Sequence, residues 1–158
     1  MRKRRELFAI LHNIRSLHNV GSVFRTADGA GVSKIYLTGY TPSPLDEMGR
    51  VRKEIAKTAL GAEKSVPWEA VRNISKLIKR LKKDRVQIIA LENIKNAVDY
   101  HKFKPKFPMA LVLGNEVRGF SRALLKKADA VIKIPMRGKK ESLNVSVAFG
   151  IAIYELLK

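Results

Sequence analysis

The chain has 158 residues, enough for one compact domain with a substantial core. It carries 32 Lys and Arg against 14 Asp and Glu, a formal charge of +18, and 46% of its residues are hydrophobic. This composition excludes a disordered basic tail, and the charge favours a polyanionic partner, with RNA or DNA first and an acidic membrane surface second.

Cysteine is absent, which excludes disulfide scaffolds, cysteine-based zinc sites and thiol nucleophiles. No signal-like segment precedes Glu6, and no apolar run approaches the ~20 residues that cross a bilayer, so we expect a cytosolic protein without membrane spans. The three histidines, His12, His18 and His101, are too scattered to predict a metal site.

The first half of the chain alternates strands with helices. After the basic stretch Arg2–Arg5, the apolar segments Leu7–Leu11 and Ser33–Thr38 are predicted strands. Between them, Asn19–Gly29 has helical apolar spacing, and Gly29 or Gly31 is available to end the helix. We interpret Thr41–Gly49 as a loop, Arg50–Leu60 as a basic, helical segment and Trp68–Lys83 as a helix with a cationic polar face.

Three apolar runs in the second half are predicted strands: Val86–Leu91, Met109–Leu113 and Ala130–Ile134. Alternation of strands and helices predicts an α/β fold with a mainly parallel sheet flanked by helices. The chain has no repeat, low-complexity tract or linker, so we expect a single domain over residues 1–158 with a short basic N-terminal extension at residues 1–6.

The last predicted helix, Leu143–Leu157, is apolar on nearly every face. One sheet cannot bury all of these faces, so the second side needs a partner. In a chain of this length we expect that partner to be a second copy, which predicts a homodimer.

Two glycine motifs resemble nucleotide-binding sites but depart from them at essential positions. Gly114–Ser121 resembles a phosphate-binding P-loop, but Phe120 stands where that motif requires lysine. Gly29 and Gly31 lie at a helix end instead of a helix start, which excludes a Rossmann dinucleotide site.

Three sequence blocks carry more information together. They are Asn19-x-Gly21-x-x-x-Arg25, Leu113-Gly114-Asn115-Glu116, and Ile134-Pro135-Met136 followed by Ser142-Leu143-Asn144-Val145-Ser146. In order and spacing they resemble the signature motifs of the SpoU/TrmH family of RNA ribose 2′-O-methyltransferases, part of the SPOUT superfamily. The resemblance implies a deep trefoil knot near the C-terminus, S-adenosylmethionine as methyl donor, and a dimer with its active site at the interface.

The resemblance also assigns residues. Leu91, Gly114, Ile134, Met136 and Leu143 match cofactor-binding positions, where a glycine permits close approach of the backbone and strand ends expose amide and carbonyl groups. Catalytic positions match at Arg25, Asn19, Glu116, Ser142 and Asn144. Because guanidinium stays charged, we expect Arg25 to stabilise the developing alkoxide or to grip the adjacent phosphate instead of acting as a base.

Simpler roles stay open for three of these residues: Ser142 as a helix N-cap, Asn144 as a first-turn polar residue and Glu116 as a partner of a lysine. His18 is interpreted as a loop residue.

The resulting hypothesis is transfer of a methyl group from S-adenosylmethionine to a ribose 2′-hydroxyl of tRNA or rRNA. The alternatives are a non-catalytic RNA-binding protein of the same fold and a base-directed RNA methyltransferase. Larger family members carry a separate RNA-binding domain, so we expect recognition here to come from the catalytic dimer or from an accessory protein. Candidate RNA contacts are Arg72–Lys83, Arg2–Arg5 and Arg137–Lys140.

Overall fold

The structure is a computed structural model that describes residues 5–158. Within this range the chain forms seven strands and six helices. The strands are β1 (Leu7–His12), β2 (Lys34–Thr38), β3 (Trp68–Val71), β4 (Gln87–Leu91), β5 (Val98–Asp99), β6 (Met109–Leu113) and β7 (Ala130–Lys133). The helices are α1 (Leu17–Ala30), α2 (Lys53–Ala59), α3 (Ala62–Ser65), α4 (Ile74–Lys83), α5 (Arg122–Lys127) and α6 (Val145–Leu156).

All strands belong to one parallel sheet in the order β3-β2-β1-β6-β4-β7-β5. The predicted α/β class with a parallel sheet flanked by helices is therefore confirmed. The central strand β6 is buried along its whole length, as its uninterrupted apolar run indicates.

The sheet separates two apolar clusters. Leu7, Ala9 and Leu11 of β1 point to one face, which α1, α2 and α6 cover, and Ile10 points to the other, which α4 covers. This alternation follows from the two-residue period of a strand. Because every strand runs in the same direction, the loops that follow the strands all meet at one carboxyl edge of the sheet.

The predicted helix over Trp68–Lys83 is wrong in its first part. Trp68–Val71 pairs with β2 as the edge strand β3, and the helix begins only at Ile74. Asn73 caps α4, because its side-chain oxygen accepts a hydrogen bond from the Lys76 amide at 3.1 Å.

Helix α1 begins two residues earlier than predicted. Ser16 is its N-cap and accepts from the Asn19 amide at 3.2 Å, so His18 lies in the first helical turn and not in a loop. The helix ends at Gly31, whose φ of 73° is left-handed, which confirms the predicted glycine cap. Of the predicted RNA contact Arg2–Arg5, residues 2–4 lie outside the described range.

Candidate active site

A cleft of about 210 Å³ opens at the carboxyl edge of the sheet. The loops that follow β4, β6 and β7 form its walls together with the first turn of α6. Its lining residues are Leu91, Glu92, Asn93, Leu113, Gly114, Asn115, Glu116, Val117, Gly119, Ile134, Met136, Glu141, Ser142, Leu143, Val145 and Ala148. Ligands of open parallel α/β sheets bind at this edge.

All five predicted cofactor residues line this one cleft: Leu91, Gly114, Ile134, Met136 and Leu143. Leu91 and Leu113 are paired last residues of the neighbouring strands β4 and β6, which brings the loops after these strands together. Two of the five predicted catalytic residues, Glu116 and Ser142, line it as well.

The loop between β6 and α5 forms one wall and is tightly constrained. The Asn115 side-chain oxygen accepts from the amides of Val117 and Arg118 at 2.9 and 2.8 Å. Gly119 has a φ of 63°, and a Cβ there would lie 2.5 Å from Glu92 Oε2. Glu92 Oε2 accepts instead from the Phe120 amide at 3.0 Å, so this glutamate after β4 holds the loop in place.

Glu116 lines the cleft and contains one unusual atom. Its Oε1 is buried and has no hydrogen-bond partner within residues 5–158. A buried carboxylate oxygen without a donor is costly. Within this range the oxygen therefore does not pair with a lysine, which is the simpler role that the sequence left open for Glu116.

Asn19 and Asn144, which are 125 positions apart, are in contact: Asn144 Nδ2 donates to Asn19 Oδ1 at 3.2 Å. Asn144, and not Ser142, is the N-cap of α6, because its Oδ1 accepts from the Ser146 amide at 2.9 Å. Neither asparagine lines the cleft, but Asn144 lies between the lining residues Leu143 and Val145, and Asn19 is in contact with Asn144.

Helices α1 and α6 run side by side in the same direction. A Cβ on Gly150 would lie 3.6 Å from Thr26, and one on Gly29 would lie 2.9 Å from the Tyr154 hydroxyl. This pairing continues the Asn19–Asn144 contact down both helices, so the first sequence block is held against the third.

Arg25 does not line the cleft of its own chain. It lies on the exposed side of α1 and makes no hydrogen bond or ion pair within the described part of the chain. Of the ten predicted site residues, Arg25, Asn19 and Asn144 are the three that do not line the cleft.

An apolar stripe lies on the exposed side of α6. Val147, Ile151 and Tyr154 are 49%, 38% and 54% exposed and follow helical spacing. This pattern agrees with the sequence argument that one sheet cannot cover all faces of the last helix.

Sequence reasoning missed Glu92, Asn93 and Asn115. Asn93 Nδ2 donates to the Glu141 carbonyl at 2.6 Å and joins the loops after β4 and β7. A signal was present, because Glu92 and Asn93 follow the buried strand β4 directly and polar residues at that place face the carboxyl edge.

An open parallel sheet with a half-apolar, half-polar cleft at its carboxyl edge defines a ligand-binding α/β protein. Comparison with known proteins narrows this class. Residues 6–154 match the model of the SpoU rRNA Methylase family, and the chain therefore belongs to that family.

A putative TrmH family tRNA/rRNA methyltransferase from Staphylococcus haemolyticus is 36% identical over 149 residues, 94% of this chain and 57% of that protein. The chain thus spans somewhat more than half the length of this relative. The A. aeolicus TrmH/SpoU tRNA modifying enzyme has a TM-score of 0.84 and 31% identity, covering 98% of this chain and 75% of that one. An AdoMet-bound rRNA methyltransferase from Sinorhizobium meliloti has a TM-score of 0.85 and 29% identity, covering 98% and 56%.

Among residues 5–158, no three His, Asp or Glu side chains lie close enough together to hold a metal ion. No described helix is long and apolar enough to span a bilayer.

Proposed function

We propose that residues 1–158 form one catalytic domain that methylates a ribose 2′-hydroxyl of tRNA or rRNA, with S-adenosylmethionine as methyl donor. The observation that carries the proposal is the convergence of all five predicted cofactor residues on one cleft of a SpoU-family fold. The ribose, and not the base, is supported by the resemblance of the blocks around Arg25 and Asn144 to the ribose-directed family.

The cleft fits this cofactor chemically. Leu91, Ile134, Met136 and Leu143 supply an apolar pocket for an adenine ring, and Gly114 lets the backbone come close to a ligand. Glu116 lines the cleft, and its carboxylate offers an acceptor for an ammonium or hydroxyl group of the ligand. When bound, S-adenosylmethionine supplies an electrophilic methyl group on a positively charged sulfur.

The chain's own residues position the RNA ribose and stabilise its charge. The Arg25 guanidinium is positively charged and therefore stabilises the alkoxide character that develops on the 2′-oxygen as the hydroxyl proton passes to solvent water. The contact between Asn19 and Asn144 keeps the start of α1 beside the rim of the cleft, where Ser142 lies. Holding the ribose in line for attack supplies much of the rate enhancement in such a reaction.

The active form is a homodimer joined through α1 and α6. Arg25 is exposed and does not line its own cleft, and the apolar stripe of Val147, Ile151 and Tyr154 lies on the adjacent helix. A twofold interface over this stripe covers the apolar side chains and brings Arg25 of one copy toward the cleft of the other.

The activity is tested with purified protein, unmodified total RNA and S-adenosylmethionine labelled in the methyl group, followed by digestion to nucleosides. We expect label in a 2′-O-methylnucleoside, and a loss of about 100-fold or more in Arg25→Ala, the effect of removing one oxyanion-stabilising group. Arg122→Ala removes the same charge from exposed helix α5, outside the cleft, and should keep activity.

Other labelling outcomes favour the alternatives. Label in a base identifies a base-directed methyltransferase. Cofactor binding and RNA binding without any transfer identify a non-catalytic RNA-binding protein.

The shared active site is tested by mixing two inactive variants, Arg25→Ala and the cleft-blocking Leu143→Trp. If Arg25 acts on the partner's cleft, mixed dimers contain one complete site and the mixture regains about a quarter of wild-type activity. If Arg25 acts on its own cleft, no mixed dimer is active. Ile151→Glu places a charge in the apolar stripe and should give a monomer in sedimentation experiments.

We infer that the chain end is knotted. The segment after β7 passes beside the loops that follow β4 and β6, and it is tied to the first of them by the hydrogen bond between Asn93 and Glu141. In single-molecule pulling, a knotted chain stays shorter when unfolded than the ~3.5 Å per residue of a fully extended chain. Full extension would contradict a knot.

A further inference from the structure

A second polar and aromatic cluster lies on the carboxyl edge, beside the cleft and outside its lining. The Tyr40 ring follows β2 and is 51% exposed. The Arg15 guanidinium carbon lies 5.6 Å from the centre of this ring. We call this pair the Tyr40–Arg15 platform.

The ring is held in place from both ends. The Tyr40 amide donates to Asn13 Oδ1 at 3.1 Å, and Asn115 Nδ2 donates to the Tyr40 hydroxyl at 2.7 Å. Asn115 Nδ2 also donates to the Asn13 carbonyl at 3.0 Å. These hydrogen bonds fix the position of an exposed ring, which is unusual for a tyrosine in a loop.

The backbone beneath the ring is equally constrained. Asn13 and Gly39 both have left-handed φ values, 56° and 61°. A Cβ on residue 39 would lie 1.8 Å from Asn13 Oδ1, so only glycine fits beside the asparagine that holds Tyr40. Thr41 ties this turn to β1, since its hydroxyl donates to the Leu11 carbonyl at 2.8 Å.

The platform and the cleft share a wall. Asn115 lines the cleft and also holds the Tyr40 hydroxyl. The platform lies over β2 and β1, whereas the cleft lies over β6, β4 and β7, in the sheet order β2-β1-β6-β4-β7. Because neighbouring strands are about 4.8 Å apart, β2 is roughly 10 Å from β6, a distance of one or two nucleotides.

We propose that the Tyr40–Arg15 platform stacks an unpaired base of the RNA next to the nucleotide that enters the cleft. This inference rests on the proposed function, because it needs RNA at the carboxyl edge. An aromatic face beside a guanidinium suits a nucleobase, since the ring stacks on the base and the cation attracts the phosphate. Stacking tolerates any base, so the platform selects unpaired RNA instead of a particular sequence.

The test measures binding, which does not depend on methyl transfer. Fluorescence anisotropy gives the dissociation constants of a fluorescein-labelled 12-nucleotide single-stranded RNA and of the matching 12-base-pair RNA duplex. Tyr40→Ala should weaken binding of the single strand about tenfold, the typical effect of losing one stacking contact, and change duplex binding by less than about twofold. Tyr40→Phe keeps the ring and should bind the single strand within about twofold of wild type.

Arg15→Lys keeps the charge and loses the planar guanidinium, so it should bind the single strand more weakly than wild type but more tightly than Arg15→Ala. Met48→Ala is the matched control, because it removes an exposed apolar side chain from the loop after Tyr40. It should bind both RNAs like wild type.

A second measurement reports stacking directly. In a Trp68→Phe background, Tyr40→Trp introduces the only tryptophan of the chain, and its emission should be quenched by the single strand and not by the duplex.

The proposal is wrong if Tyr40→Ala binds the single strand as tightly as wild type, if it loses affinity equally for both RNAs, or if the wild-type protein binds neither. Failure of the proposed function looks different, because RNA binding and its dependence on Tyr40 would then persist without transfer of label. Titration of each variant with S-adenosylmethionine shows that the cleft is intact.

Discussion

At the residue scale, Asn144 combines two roles that substitution can separate. It caps α6 through Oδ1 and contacts Asn19 through Nδ2. Asn144→Ala removes both and should lower the free energy of unfolding by about 1 kcal/mol, the usual cost of a lost N-cap. Asn144→Asp keeps the capping oxygens and loses only the amide donor.

The aspartate variant should therefore unfold at the same urea concentration as wild type while methyl transfer falls roughly three- to tenfold, the effect of one hydrogen bond. If Asn144→Asp retains full activity, the contact with Asn19 has no part in the reaction, and Asn144 is only a cap. Equal losses of stability in both variants would contradict the capping role.

His12 lies beneath the platform and gives a pH-dependent stability. Its Nδ1 is 2.9 Å from the Thr38 hydroxyl and its Nε2 is 3.3 Å from Asn13 Nδ2. Because the Asn13 amide is a donor, Nε2 accepts and the imidazole is neutral. Burial lowers the pKa of His12 below its ordinary value of 6.5, since the charged ring is poorly solvated there.

The unfolded chain therefore binds more protons than the folded chain at mildly acidic pH. The His12 contribution is fully present above pH 6.5 and is lost as the pH falls through the lowered pKa, so the free energy of unfolding should be smaller at pH 5.5 than at pH 7.5. Urea unfolding of the wild-type protein and of His12→Gln, each at pH 5.5 and pH 7.5, measures this pH dependence of the free energy of unfolding. The difference between the two pH values should be smaller in the variant, and an unchanged difference would assign the pH dependence to other groups.

At the element scale, Gly21 sets the approach of α1 to α2. A Cβ there would lie 1.9 Å from Thr58 Oγ1 and 2.4 Å from the Ile55 carbonyl oxygen. Gly21→Ala should therefore lower the free energy of unfolding by about 1–3 kcal/mol, as overpacking does.

Gly150→Ala is the matched control within α6, because a Cβ there meets only Thr26 at an ordinary 3.6 Å. It should raise stability by about 0.5–1 kcal/mol, the conformational benefit of alanine in a helix. Urea unfolding of both variants at one protein concentration tests the contrast, and equal effects would mean that helix propensity and not close packing governs Gly21.

The elements that sequence predicted well are those with local signals. Buried strands such as β6 are continuous apolar runs, and Gly31 ends α1 through its own backbone freedom. Trp68–Val71 was missed because apolar spacing continues from it into α4, whereas its pairing with β2 is a long-range contact that spacing does not encode. The two-residue strand β5 has no periodicity to detect.

The residues of the site show the same difference between what sequence predicts and what depends on long-range packing. The family resemblance assigned Leu91, Gly114 and Ile134 to one cofactor site, and they do line one cleft, because parallel strands end at the same edge of the sheet. The Asn19–Asn144 contact joins positions 125 apart and depends on how α1 and α6 pack, so it was not predicted; the family resemblance only assigned both residues to the site. The Tyr40–Arg15 platform carries no motif and emerged from the structure alone.

At the scale of the whole molecule, the question is which of the residues behind the charge of +18 contact RNA. Those near the carboxyl edge, which holds the cleft, are the first candidates. Helix α4 begins at this carboxyl edge. Arg80 and Lys82 of α4 pair with Glu69 and Asp129, whereas Lys76 and Lys79 are exposed and make no ion pair within residues 5–158. These two lysines are therefore available to RNA phosphates.

Lys104 and Lys106 provide the comparison, because they are also exposed but precede β6 at the opposite edge of the sheet. Each phosphate contact adds about 0.7–0.9 to the slope of log affinity against log salt concentration. Replacing Lys76 and Lys79 with serine should therefore reduce the slope for a tRNA transcript by up to about 1.4–1.8 and weaken binding at low salt. The same change at Lys104 and Lys106 should leave the slope within about 0.3 of wild type, since those charges act only at long range.

Anisotropy titrations between 50 and 300 mM KCl measure both slopes. Equal reductions in the two double variants would mean that RNA is attracted by the net charge alone. An effect confined to Lys76 and Lys79 places the RNA across α4 as well as the carboxyl edge.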